Sequence, residues 1–507
     1  MLARRSVAGA SAAAPAPATM MTATLARPTS TTETVGRVAR GGLINLIGTG
    51  IGGCTGLLVT WLVARGLGPD HAGAFFTGTA AFTLAATTAR LGTQTGLVYW
   101  PARLRARGEH RLLRACLRAG LTPVAVAATA VAAVAWFVTP ALRPLAFFIP
   151  LAALSDAFLA ATRGMAELRP TVLLDRILRP GLQLAGVGAL VLVLGNSLDA
   201  TAYTMAWAMP YLPVAALAAY ALHRSLLPVD PVSGGEIGRA FWRFTAPRAV
   251  GSVAQSALQR LDVILVAALA GLPTAAIYAV ATRFLVLGQL VNGALSQVVQ
   301  PRLAERLAVG DQAGANQLYQ AATGWLVLLT WPVPLLAICF APVYMGLFGP
   351  SYASGATAVV VLASAMLVAT GCGMVDVVLS MAGRTSWNLG NVALALGIQV
   401  GANFLLVPRY GVLGAAIALA AALVVNNVIP LLQVGLAYGL HPFGGGTLAA
   451  GCLAVAAFGV LPVSVAVFAG YRPATMFTAL AVGVVGYAAG ALALRRPLQL
   501  DKLAIKR

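Results

Sequence analysis

The sequence predicts an all-α polytopic membrane protein of about fourteen transmembrane helices. Three observations lead there. Of 507 residues, 59% are hydrophobic and only 9% are charged, where a soluble globular protein carries about 25% charge. The mean hydropathy is +0.85. Apolar runs of about 20 residues, enough to cross roughly 30 Å of hydrocarbon, recur along the whole chain.

Fourteen runs meet that length, at roughly 41–66, 73–99, 115–139, 145–163, 178–195, 200–222, 246–270, 275–298, 319–347, 353–382, 386–408, 411–437, 446–470 and 473–494. Charge sets their direction. With a cytoplasmic N-terminus, the inside holds Arg37 and Arg40, the basic run from Arg103 to Arg118, and Arg163, Arg169, Arg176 and Arg179. It also holds Arg224, Arg239, Arg243, Arg248, Arg302, Arg306 and Arg384, then the tail with Arg495, Arg496, Lys502, Lys506 and Arg507. The outside holds only Arg143, Arg409 and Arg472. Lys and Arg collect on the cytoplasmic side of membrane proteins, so both termini are expected inside, in the cytoplasmic (inner) membrane.

The surplus of 34 Lys+Arg over 14 Asp+Glu gives a net charge of +20. Because these residues sit between apolar spans and not in one patch, they read as topology signals and contacts to the lipid bilayer, not as a nucleic-acid surface. The five cysteines (Cys54, Cys116, Cys339, Cys372 and Cys452) form no CxxC pair, so no metal motif or disulfide framework is expected.

Residues 1–36, rich in Ala, Thr, Ser and Pro, read as a disordered cytoplasmic tail. The N-lobe is expected at 37–222 (spans 1–6) and the C-lobe at 246–438 (spans 7–12). A cytoplasmic linker at 223–245 contains Pro228, Pro231, Gly234 and Gly235; the extra spans 13–14 occupy 439–494, and a basic cytoplasmic tail 495–507. An internal match supports two halves: Leu62-Val63-Ala64, Gly68, Ala72 and Phe75 align without gaps on Leu265-Val266-Ala267, Gly271, Ala275 and Tyr278. Parallel repeats of this kind occur in transporters.

Several motifs carry a resemblance. They are Ala64-Arg65-Gly66-Leu67-Gly68-Pro69, Asp262, Ile277-Tyr278-Ala279-Val280-Ala281-Thr282-Arg283, Pro301-Arg302-Leu303, Leu347-Phe348-Gly349-Pro350-Ser351-Tyr352, and Pro408-Arg409-Tyr410-Gly411-Val412-Leu413-Gly414. Together they cover about residues 40 to 437 and resemble the polysaccharide-transporter (oligosaccharide flippase) branch of the multidrug/oligosaccharidyl-lipid/polysaccharide exporter superfamily, which is related to lipid II flippases. The resemblance implies a V-shaped pair of lobes around a cavity that opens alternately to each side. It also implies a polyprenyl-diphosphate-linked sugar as substrate. Arg65 and Arg283 match basic positions of that group; Arg90 and Arg260 do not. The extra helix pair is implied to help form a groove for the carrier's polyprenyl tail.

The polar residues at membrane depth are the candidate site, since charges there are costly and mark function by default. Arg283, Arg65, Arg90 and Arg260 are the candidate cations for a diphosphate, which the planar arginine fork pairs through two oxygens. Arg283 either faces the cavity or pairs with a carboxylate such as Asp262. On an ideal helix it projects away from the polar face of Tyr278, Thr282, Gln289, Asn292 and Ser296, unless a bend near Gly288 re-aims it. Arg65 at a span end also fits snorkelling to the interface.

Asp262 continues a stripe with Ser252, Gln255 and Gln259. It either binds a coupling ion or pairs with an arginine. Asp156 and Asp376 are the other carboxylates that could carry a coupling proton or Na+. Gln255, Gln259, Asn292, Asn388, Asn391 and Gln399 are candidate polar lining, to hydrogen-bond sugar hydroxyls or neighbouring helices.

The leading expectation is a non-enzymatic flippase or exporter for polysaccharide biosynthesis that needs no cofactor beyond a coupling ion. Glycosyltransferases and a polymerase are candidate partners, and a monomer is expected. The alternatives are lipid II flipping for peptidoglycan, cation-coupled multidrug export, and a membrane-embedded glycosyltransferase or polymerase. The last usually needs a sizeable extramembrane domain, whereas the longest loop here holds only Asp230 and Glu236 as acids. No P-loop glycine motif is present, which speaks against ATP hydrolysis.

Overall fold

A computed structural model describes residues 31–138, 142–195, 197–226, 235–470 and 472–498. Residues 1–30 of the expected tail, part of the 223–245 linker with Asp230, and the end of the basic tail with Lys502 and Lys506 lie outside the described residues. Within the first 43 residues, the described part, from Thr31 on, is helical. The rest of the chain forms a single compact unit.

The helices are α1 (Thr31–Ala89), α2 (Thr93–Ala106), α3 (Leu113–Val138), α4 (Arg143–Gly164), α5 (Thr171–Leu194), α6 (Ala200–Arg224), α7 (Gly235–Ala270), α8 (Leu272–Ala281) and α9 (Leu285–Ala308). They are followed by α10 (Gln312–Cys339), α11 (Pro350–Met381), α12 (Thr385–Tyr438), α13 (Gly445–Ala469) and α14 (Pro473–Ala493). Among the described residues, eleven helices are long and apolar enough to cross a membrane, and the bent pair α8 and α9 makes twelve. α1 and α12 are each two helices joined at a glycine with non-helical backbone, Gly68 and Gly411. α12 has 54 residues, about 80 Å at 1.5 Å per residue, more than two crossings of a ~30 Å layer. Dividing both at their glycines brings the crossings to fourteen.

The turn glycines reveal the pseudo-symmetry in backbone angles. Gly68 (φ 73°, ψ 171°) and Gly271 (φ 88°, ψ 167°) share one conformation, six spans apart. Gly195 (φ 55°, ψ −123°) and Gly411 (φ 52°, ψ −124°) share another, again six spans apart. Both lie at positive φ, which glycine adopts without steric cost.

One cluster of buried side chains fills the first half of the chain, around Phe82, Phe148, Tyr211 and Phe241. Another fills the second half, around Val299, Tyr319 and Met374. The largest joins the two halves: Val63, Leu67 and Phe76 meet Val266, Tyr278, Val280 and Met345. α7 ties the halves together along its length. Its first turns pack on α2 and α3, where Gly92, Gly96 and Gly120 leave room for Ala249, Thr245 and Phe241. Further along, Leu258 packs with Ala395 and Ala422 of α12. The helix starts at Gly235, well before the apolar stretch, because this N-terminal segment rests on protein.

α13 and α14 pack on α10 through Leu335, Phe458 and Cys339. Their other faces are open, with Phe468 and Val485 exposed, as expected for lipid-facing helices.

The two halves touch most closely where α1 meets α8. A Cβ on Gly73 would lie 2.0 Å from the Leu272 carbonyl oxygen. Gly73→Ala is therefore expected to destabilise the protein by about 1–3 kcal/mol through overpacking. Gly397→Ala, where nothing lies within 4 Å, is expected to be neutral or stabilising by about 0.5–1 kcal/mol. Thermal unfolding of the two variants in detergent checks the contrast.

Candidate functional site

The site is built from places where the helices break. The first follows Ala89, where Leu91 (φ 51°) and Gly92 (φ 67°) turn left-handed between α1 and α2. Arg90 sits in this break. Its Nη1 meets Asp156 Oδ2 of α4 at 2.6 Å, and its other terminal nitrogen donates to the Thr87 hydroxyl. Two expected site residues, one cation and one carboxylate, thus neutralise each other.

Beside them is a network that hydropathy alone missed. The first eight residues of α5, Thr171–Leu178, are π-helical, a form often found at functional positions. Asp175 there pairs with Arg179 one turn on and with Arg176. Arg179 also donates to the Tyr211 hydroxyl at 2.6 Å, with its guanidinium 5.1 Å from the ring centroid. The sequence boundary at residue 178 left Asp175 in a loop. Its i, i+4 spacing to Arg179 was the signal that could have placed both on one helix face.

The second break lies between the halves. α8 ends at Ala281, α9 begins at Leu285, and the pair bends by 45°. Arg283 occupies this break. The bend was expected near Gly288, but it falls at the arginine itself, so the ideal-helix face does not apply. Gly288 instead makes room for Met366. The Arg283 guanidinium lies 5.4 Å from the Phe76 ring of α1, across the boundary between the halves, within cation–π range. Its Nε is buried with no hydrogen-bond partner.

Arg260 of α7 is half-buried, and neither it nor Arg283 has an ion pair among the described residues. Asp262 does not neutralise them. It is 4% exposed and accepts from the Tyr278 hydroxyl at 2.6 Å and the Val263 N–H at 2.8 Å. The charges of Arg260, Asp262 and Arg283 nonetheless act on one another. Along α7, Ser252, Gln255 and Gln259 are exposed while Asp262 is buried.

The amides of the second half divide in two. Asn391 and Gln433 bond to each other reciprocally, at 2.8 and 3.1 Å. Asn388 donates to the Asp376 carbonyl and to the Ser380 hydroxyl. By contrast, both amide atoms of Gln399, Asn403 Oδ1 and Asn292 Oδ1 are buried without a partner. Gln399 is 1% exposed. Burying an amide without a partner costs about 1–3 kcal/mol. Asp376 is exposed in the first turn of the helix after Gly373. Arg65 is exposed at the far end of the first span and donates to the Leu347 carbonyl at 3.4 Å; Trp61 Nε1 donates to the same oxygen at 3.0 Å.

The sequence matches no protein-family model and no curated protein. Solved structures do match. One is the lipid II flippase MurJ in an inward closed conformation, with a TM-score of 0.71 at 12% identity, covering 90% of this chain and 99% of that one. Another is an inward-facing multidrug resistance MATE family transporter of the MOP superfamily, with a TM-score of 0.60 at 15% identity, covering 78% and 98%. A MOP superfamily transporter from Pyrococcus furiosus, described as having a binding pocket of reverse polarity, matches with a TM-score of 0.54 at 17% identity, covering 79% and 95%. The chain thus has the fold of MOP-superfamily membrane transporters. Within that fold, its length corresponds most fully to the flippase.

Tyr278→Phe removes the only side-chain donor to Asp262 among the described residues and is expected to destabilise the protein by about 1–3 kcal/mol, read as a lower unfolding temperature in detergent. Unchanged stability would show that the bond contributes nothing.

Proposed function

We propose that this protein moves a polyprenyl-diphosphate-linked oligosaccharide across the cytoplasmic membrane by alternating access, for polysaccharide biosynthesis. The observation that carries the reading is Arg283. It lies in a helix break between the halves, with no ion-pair partner among the described residues and with Nε unsatisfied. A cation held this way calls for an anion, and a diphosphate bridging Arg283 and Arg260 supplies one. The arginine fork matches phosphate oxygens and stays charged throughout the cycle.

The orphan amides Gln399 and Asn292 are suited to sugar hydroxyls. A site for cationic drugs between the halves would need a free carboxylate there, whereas Asp262 is engaged by Tyr278; Asp156 is held by Arg90, and Asp376 lies apart in the first turn of the helix after Gly373. Arg65 acts at the rim of the path. Asp262, Asp156 and Asp376 are the carboxylates through which a proton or Na+ would couple. The arginine-rich face and both termini are assigned to the cytoplasm by the charge asymmetry.

A second reading, lipid II as the cargo, is favoured by one observation: the match spans 99% of the lipid II flippase.

In vesicles reconstituted with lipid-linked oligosaccharide, Arg283→Ala is expected to abolish flipping, and Arg283→Lys to restore little. Wild-type rates for Arg283→Ala at normal expression would overturn the role of Arg283. The lipid-linked intermediate that accumulates on deleting the gene identifies the glycan and separates the two cargoes.

A further inference from the structure

A cavity of about 390 Å³ opens on the arginine-rich face, away from the boundary between the halves. Arg105 in the last turn of α2, His110 in the turn before α3 and Arg163 in the last turn of α4 line it. The rest of its lining is small: Ala102, Ala106 and Gly164, with Ala166. Ala166 is held at φ 64°, a left-handed conformation uncommon for a residue with a Cβ. α2 and α4 approach so closely here that a Cβ on Gly164 would lie 2.4 Å from the Leu97 carbonyl oxygen.

The cavity is positive, and none of its lining residues is acidic. Neither Arg105 nor Arg163 has an ion pair among the described residues. Arg163 has only a long 3.5 Å contact to the Thr171 hydroxyl. His110 Nδ1 is buried without a partner. The acids nearby are engaged elsewhere: Asp175, whose charge reaches Arg163, pairs with Arg179 and Arg176, Asp156 is held by Arg90, Glu167 accepts from Ser225 at 2.8 Å, and Glu109 is exposed and outside the lining.

Two basic residues at helix C-termini also have a plainer explanation, since they offset the helix dipoles. Magnitude decides between the two. Each C-terminus presents about half a negative charge, so two termini balance one of the two guanidinium groups and leave the other over.

We propose that this cavity binds a phosphate group, supplied by an anionic lipid headgroup or by free phosphate. Arg105 and Arg163 grip its oxygens, and His110 donates a further hydrogen bond. Basic pockets between helices at this membrane depth are suited to lipid phosphates, and the methyl-sized walls at Ala102 and Ala106 leave room for a glycerol backbone. The inference stands apart from the cargo reading, as it uses none of the same residues.

The test uses the full chain, delipidated in uncharged detergent. Native mass spectrometry measures phosphatidylglycerol and phosphatidylcholine binding, and thermal unfolding is followed with added inorganic phosphate. Three variants are compared: Arg105→Gln with Arg163→Gln; Ala106→Glu, which places a carboxylate at the cavity from an exposed position; and, as a charge control, Arg495→Gln with Arg496→Gln.

A lipid source predicts phosphatidylglycerol bound in preference to phosphatidylcholine, weakened at least tenfold in the first two variants and unchanged in the control. A free-phosphate source predicts a rise in unfolding temperature with phosphate that only those two variants lose. If the double variant does not fold, Ala106→Glu decides. Affinities within twofold of wild type in Ala106→Glu, or an equal loss in the control, overturn the proposal.

Discussion

In a hydrocarbon layer every backbone N–H and C=O must find a partner inside the protein. The helices of this chain satisfy that demand by themselves, which is why it can be almost wholly helical with short loops. The same demand makes each interruption informative. Where the regular helix is interrupted at Arg90–Gly92 and at Thr282–Phe284, local turn bonds take up backbone groups, Leu91 N–H donating to the Thr88 carbonyl and Arg283 N–H to the Val280 carbonyl; the start of α5 changes to π-helical pairing instead. An arginine lies in or beside each interruption. The breaks and the charges share a cause: only surroundings able to shelter an open backbone can also shelter a guanidinium.

The charges then fall into two regimes. In the first half, Arg90 with Asp156 and Asp175 with Arg176 and Arg179 form matched sets, and Tyr211 completes the second. These pairs are partly buried, and breaking one strands the other charge, the costly event for a sheltered ion pair. Between the halves no such matching occurs. Asp262 accepts from Tyr278 and its own neighbour's N–H, and neither Arg260 nor Arg283 has an ion pair among the described residues.

Composition and charge periodicity made the fold legible. The Gly68 and Gly271 turns were legible too, because like wording surrounds both. The equivalence of Gly195 and Gly411 was not, since it resides in torsion angles, and the residues around the two glycines differ. Arg283 could be singled out by its depth in an apolar run, but not its orientation. An ideal helix was the only geometry available, whereas the chain breaks at the arginine itself and sets its guanidinium over the Phe76 ring. Asp175 and Arg179 were passed over for a related reason. Hydropathy ends a span at the first cluster of charges, whereas in the fold those charges pair and the helix continues through them.

The seam near Gly73 carries one more consequence. The halves meet there through main-chain atoms: Trp61 and Arg65 both donate to the Leu347 carbonyl, and Gly73 rests against the Leu272 carbonyl. Any residue supplies a carbonyl. Position 272, whose side chain is exposed, is therefore free to drift without loosening the contact, and its identity need not track that of residue 73. Covariation between sequences would leave this junction unmarked, which is one way an architecture can outlast nearly all of its shared letters.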